Sequence, residues 1–199
     1  MIRVGITGNI GSGKTTVCKI FESLHIPVYY ADREAKNLYS KYPEIKNEVI
    51  NLLGNSAYND NGLPNFSFIK SEIFINPSKL SALNNILHPY VFNHFHHWCN
   101  EIQIQQPNLP YAIKEAAILF ESGANKTVEK TILVTAPTEL KIQRAMRRDN
   151  ATEQDVIQRL SKQHSEEELL KRVDFVITND EKTPLIPQVL AIHKQLTEL

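Results

Sequence analysis

The chain has 199 residues, 42% hydrophobic and 22% charged, enough for one domain with an inserted subdomain and a sizeable core. Its 22 basic and 22 acidic side chains cancel, so no general attraction to nucleic acid or anionic membrane is expected, and no apolar run approaches the ~20 residues of a membrane span. Two cysteines, Cys18 and Cys99, lie in no CxxC pair, and the N-terminus lacks a signal-peptide pattern, so a reducing, cytoplasmic setting is expected.

Residues 2–7 are a short β-branched run ending at Gly8, the pattern of a buried parallel strand. Thr15 to Leu24 reads as a helix, with Val17, Ile20, Phe21 and Leu24 on one face and Pro27 as its breaker. Val28-Tyr29-Tyr30 predicts a second strand, and Asp32 is placed to cap the helix after it. From 43 to 106 apolar residues recur at helical spacing among Asn, Ser and aromatics, which predicts a helical inserted subdomain. Asn59-Asp60-Asn61-Gly62 with Pro64 is a loop inside it, and Pro107 and Pro110 close it.

Strands are predicted at Tyr111 to Ala117 and Lys130 to Thr135, and a helix from Pro137 to about Arg148. Thr152 with Asp155 resembles a capping box opening a charged helix to about His164. A fifth strand at Val173 to Ile177 and a helix over 184–198 complete the chain. Strands alternating with helices imply an α/β fold in three layers, a five-stranded parallel sheet covered on both faces. Ligands of such sheets bind at the carboxyl ends of the strands. Residues 1–42 and 107–199 would form the sheet-bearing core, with 43–106 an inserted helical subdomain and 140–165 a further helical stretch.

One motif carries chemistry by itself. Gly8, Asn9, Ile10, Gly11, Ser12, Gly13, Lys14 and Thr15 match GxxxxGK[ST] between a predicted strand and a helix, so a P-loop NTPase fold is expected. Glycines let backbone N–H groups turn inward as an anion nest, and the helix dipole adds to it. Lys14 would reach the β- and γ-phosphates of ATP, Thr15 would give its hydroxyl to Mg²⁺, and Thr16 continues the cradle. Asn125-Lys126-Thr127-Val128 has the wrong fourth residue for a guanine-reading motif, and the length suits a small-molecule kinase.

Other residues admit two readings from sequence. Arg144 and Arg148 are four apart on one helical face, fit either to close over phosphates or to form a solvated basic surface with Lys141 and Arg147. Glu115 ends the third strand, as an acid beside a metal or as the partner of Lys114. Asn179 ends the fifth strand, where its amide could read a base edge or simply make a turn. Of His94, His96 and His97, only the first and last share a helical face, and no cysteine or carboxylate completes a zinc site. Phe92, Phe95 and Trp98 read as core.

Beyond the P-loop, the order of several motifs resembles the dephospho-CoA kinase family. They are Tyr30-Ala31-Asp32, Leu87-His88-Pro89, Leu119-Phe120-Glu121, the series Arg144, Arg148-Asp149, Arg159 and Gln163, and Asp174-Phe175-Val176-Ile177 with Asn179. The resemblance implies transfer of the γ-phosphoryl group of ATP to the ribose 3′-hydroxyl of dephospho-CoA, with 1–42 and 107–199 as the nucleotide-binding core, 43–106 as the acceptor-binding subdomain and 140–165 as a lid. It implies that Asp32 receives or orients the proton of that hydroxyl, that Arg148 and Arg144 cover the phosphates, that Glu115 assists Mg²⁺ through a water, that His88 contacts the acceptor and that Asn179 lies near adenine. The sequence departs from the family pattern at Tyr30, Ala117, Phe66 and Leu169, the last two replacing basic residues. Kinases of another small hydroxyl acceptor, and a nucleotide-switched binding module docking through 43–106, are the competing readings; oligomeric state is not legible.

Overall fold

Five parallel strands form one sheet in the computed structural model, which describes residues 1–199. In chain order the elements are β1 (Ile2–Thr7), α1 (Lys14–Ser23), β2 (Val28–Tyr30), α2 (Ala31–Lys41), α3 (Pro43–Leu53), α4 (Phe66–Ile75), α5 (Pro77–Gln105), β3 (Tyr111–Glu115), β4 (Lys130–Thr135), α6 (Thr138–Asp149), α7 (Glu153–Leu160), α8 (Glu166–Leu170), β5 (Phe175–Thr178) and α9 (Leu185–Thr197). The strand order is β2-β3-β1-β4-β5, with β1 at the centre. Ile6 of β1 is in register with Glu115 of β3 and Ile132 of β4, and Glu115 with Tyr30 of β2. The five-stranded parallel α/β architecture expected from the sequence is therefore the one observed.

Met1–Tyr30 and Glu101–Leu199 form one compact unit, and Ala31–Asn100 a second. In the first, Val4, Ile6, Tyr111, Ile113, Ile132, Val134 and Ile177 pack with Val17, Cys18 and Phe21 of α1 and Val189, Ile192 and Leu196 of α9. Burying each such large apolar side chain contributes about 1.5–3 kcal/mol. The opposite face is covered where Leu119 and Val128 press on Gly5, so closely that a Cβ there would stand 2.7 Å from Leu119.

The second unit has its own core. Leu38 and Tyr39 of α2, Ile45, Val49 and Leu53 of α3, Ile69 of α4, and Leu83, Leu87 and Val91 of α5 are buried together. It therefore takes in α2, ahead of the 43–106 stretch marked out by composition, because α2 buries its apolar face on α3. The Asn59–Gly62 loop closes through Gly62 N–H to the Asn59 carbonyl at 2.8 Å, and the Asn59 amide oxygen accepts from Leu63 N–H at 2.9 Å.

Four local expectations are corrected. Asp32 does not cap α2 but lies within its first turn, because the helix begins directly at the end of β2. There it still favours the positive end of the helix dipole. β3 stops at Glu115 rather than Ala117, and β5 starts at Phe175 rather than Val173. The Asp174 carboxylate instead accepts from Thr131 N–H and Oγ1, both at 2.8 Å, just ahead of the strand. The charged helix after Thr152 ends at Leu160, and α8 follows as a separate helix. Its own capping box, Ser165 with Glu168, starts it. The capping box at Thr152 and Asp155 is present as predicted.

Candidate nucleotide site

At the end of β1 the chain turns through Gly8–Gly13 into α1. Gly13 has φ +92, and a Cβ on it would lie 2.0 Å from the Asn179 amide nitrogen. Gly11, an unspecified position in the motif, has φ +78, and a Cβ there would meet the Lys141 carbonyl oxygen at 2.0 Å. Both positions combine a backbone that L side chains rarely adopt with no room for one. No side chain caps α1, the arrangement in which helix N-termini take anions.

Lys14 is buried, and its Nζ donates to the carbonyls of Gly8 at 2.8 Å and Asn9 at 3.4 Å. Its ammonium is thus held across the loop rather than out in solvent. The Ser12 hydroxyl is fully buried without a hydrogen-bond partner. An unpaired buried hydroxyl costs about 1–3 kcal/mol, and a phosphate oxygen would satisfy it. Thr15 and Thr16 are exposed at the start of α1.

Glu115 is buried at the carboxyl end of β3. Strand alternation puts it on the face opposite Lys114, whose Nζ donates to Thr127 Oγ1 at 3.2 Å. Burial, and next the nearby Glu115 carboxylate, push the Cys18 thiol well above its ordinary range. The Thr15 hydroxyl and the Glu115 carboxylate are hard oxygen donors, the chemistry that suits Mg²⁺.

The arginines expected to act from one helical face take separate partners. Arg144 donates to the Asn179 carbonyl at 3.1 Å and pairs with Glu181 at 2.9 Å. Arg148 grips Asp149 with two bonds, Nε–Oδ1 at 2.8 Å and a second at 3.0 Å, and Arg159 reaches the same carboxylate at 2.8 Å. These two arginines, Arg148 first, hold the Asp149 carboxyl below the usual range. Asn179, read from sequence as either near a base edge or in a turn, donates its side-chain nitrogen to the Ser12 carbonyl at 2.8 Å, because β5 ends beside the loop.

A cavity of about 480 Å³ opens beyond the ends of β4 and β5, lined by residues including Pro137, Lys141, Thr178 and Asp180. Lys141 is buried there and pairs with Glu166 at 2.9 Å. Gln163, His164 and Glu121 were not site candidates from sequence, and each proves to bear on the loop. Gln163 Oε1 accepts from Ile10 N–H at 2.9 Å, the His164 carbonyl accepts from the Asn9 amide at 3.1 Å, and Glu121 accepts from His164 N–H at 2.9 Å. Gln163 and Glu121 did fall within the family-like motifs, but no local pattern announces which backbone groups they meet.

The remaining candidates lie in the second unit. Asp32 is two residues past the end of β2, and His88 stacks on Phe92 within α5, ring centroids 5.9 Å apart. His96 and His97 meet edge to face on the same helix.

The dephospho-CoA kinase family model matches residues 2–184. A dephospho-CoA kinase of Bacteroides fragilis is 39% identical over 191 residues, 96% of this chain and 91% of that protein. A Thermus thermophilus protein of known crystal structure matches with a TM-score of 0.82 at 29% identity, covering 100% of this chain and 97% of that one. A Campylobacter jejuni dephospho-CoA kinase shares the fold, with a TM-score of 0.70 at 23% identity over 98% of this chain and 97% of that one. No helix of the chain is long and apolar enough to cross a membrane.

Proposed function

Since the chain belongs to the dephospho-CoA kinase family, an ATP-dependent transferase, we propose how its residues divide the reaction between them. The enzyme moves the γ-phosphoryl group of ATP to the ribose 3′-hydroxyl of dephospho-CoA, giving coenzyme A and ADP. The observation that carries the assignment of roles is the phosphate loop, with a buried lysine across it and a buried, unpartnered Ser12 hydroxyl inside it.

Gly8 to Thr16 bind the triphosphate, and Lys14 leaves the loop carbonyls for the β- and γ-phosphates. Thr15 and Glu115 would hold Mg²⁺, which neutralises phosphate charge when bound. Asp32 orients the acceptor hydroxyl and takes its proton as the new O–P bond forms. The bond from γ-phosphorus to the β–γ bridging oxygen breaks, and ADP leaves with that electron pair. A carboxylate suits this task because phosphoryl transfer depends on positioning more than on a strong base.

Arg148 and Arg144 counter charge on the transferred group, which requires Arg148 to part from Asp149. The 140–165 segment acts as a lid that excludes water. Residues 43–106 bind the acceptor, with His88 among the contacts. Asn179 serves the site by holding the loop, through the bond described above. The two buried free cysteines support a cytoplasmic setting.

The test is direct. Purified protein with ATP, Mg²⁺ and dephospho-CoA should yield coenzyme A and ADP in equal amounts, with no product when Mg²⁺ is chelated. Turnover without Mg²⁺, or full turnover by an Asp32→Asn variant, would refute these assignments.

A further inference from the structure

The phosphate loop has few bonds of its own. Ser12 N–H reaches the Asn9 carbonyl at 3.1 Å, and Lys14 Nζ touches two carbonyls. Three of its six residues before Lys14 are glycines, so its backbone has more conformational freedom to lose than a loop without glycine would have. The Ile10 N–H and the Asn9 side chain, by contrast, find their partners elsewhere in the chain.

Gln163 stands in the turn between α7 and α8. Its side chain spends both ends of one amide on backbone groups: Oε1 accepts from Ile10 N–H at 2.9 Å, and Nε2 donates to the Ala117 carbonyl at 3.2 Å. Ala117 lies just past β3, whose last residue is Glu115. The next residue adds a second rung, His164, whose carbonyl accepts from the Asn9 side chain and whose N–H donates to Glu121. Two adjacent residues of one turn thus bridge the phosphate loop to the segment after β3.

We infer that Gln163 is a positioning residue for phosphoryl transfer, fixing the Asn9–Ile10 peptide of the phosphate loop and tying it to the segment that follows β3. It touches no reacting atom and acts through the loop, so its contribution is to ATP binding and not to acceptor binding. Because Gln163 belongs to the 140–165 segment, the shape of the cradle depends on the α7–α8 turn being docked. This rests on the reading of residues 8–15 as the ATP cradle.

Gln163→Met keeps the length of the side chain and deletes both polar atoms. It should raise the KM for ATP about ten-fold and leave that for dephospho-CoA within about two-fold. Hydrogen exchange at the Ile10 amide should accelerate about ten-fold while Val4 and Ile6 amides keep their protection. Gln163→Glu retains an acceptor for Ile10 N–H and should keep that amide protected. Unchanged KM for ATP in Gln163→Met, or equal rises for both substrates, overturns the inference while leaving the cradle intact. If Gln163→Met does not fold, the unmodified protein decides: an Ile10 amide exchanging as fast as those of the Asp60–Asn61 turn overturns it. Failure of the unmodified protein to bind ATP would overturn the cradle itself, and this inference with it.

Discussion

The side-chain nitrogen of Asn179 donates to the main-chain carbonyl of Ser12 at 2.8 Å, joining the end of β5 to the phosphate loop across 167 positions. The same Asn179 gives its own carbonyl to Arg144. Loop, last strand and α6 are thus held at one point. Asn179→Ala should cost roughly 1 kcal/mol of loop order, about a five-fold rise in KM for ATP. Steady-state kinetics with each substrate varied in turn would test it; an equal rise in the KM for dephospho-CoA would contradict a role confined to the loop.

Gly11 is a stronger constraint than its place in the motif suggests. A methyl group there meets the Lys141 carbonyl at 2.0 Å, and backbone oxygen cannot rotate away as a side chain could. Gly11→Ala combines left-handed strain of about 1–2 kcal/mol with overpacking of about 1–3 kcal/mol. Urea unfolding should show a loss of about 2–5 kcal/mol, with ATP binding weakened as the loop shifts. A variant as stable as the parent would mean that α6 moves aside freely.

Asp32 and Lys14 should separate kinetically. In the proposed role, Asp32→Asn keeps the shape and one acceptor oxygen of the side chain but loses the carboxylate that would take the proton, so kcat should fall about 10²–10⁴-fold with KM for ATP little changed. Lys14→Ala would remove the proposed phosphate ligand and should weaken nucleotide binding as well as turnover. If Asp32→Asn loses affinity for ATP instead of turnover, Asp32 belongs to the nucleotide site and another group handles the hydroxyl.

The Asp149 carboxylate predicts a pH-dependent stability. Its folded pKa is lowered, first by the Arg148 hydrogen bonds and further by the charges of Arg148 and Arg159. That stabilisation is fully present above the unfolded-chain value near 4 and is lost as pH falls through the lower folded value. Arg148 is 62% exposed, so solvent screening limits the effect to about 1 kcal/mol or less. Comparing urea midpoints of the parent and Asp149→Asn at pH 7 and pH 3 should show a difference that shrinks at the lower pH. A difference that grows on acidification would reverse the assignment.

Much of this protein is readable without coordinates because its signals are local. Short β-branched runs marked the strands, and the spacing of Thr152 and Asp155 marked a helix start that the structure reproduces. GxxxxGK[ST] between a strand and a helix announced a nucleotide triphosphate, since the anion nest needs glycines, a lysine and a helix N-terminus in sequence order. The order of further motifs pointed to the kinase family that the comparisons bear out. What the chain alone left undecided was pairing between distant backbone groups. Nothing within a few residues of Asn179, Gln163 or Gly11 encodes contact with Ser12, Ile10 or the Lys141 carbonyl. Those contacts exist because a parallel sheet brings the ends of β1, β3, β4 and β5 to one edge, where buried backbone groups find partners across the fold.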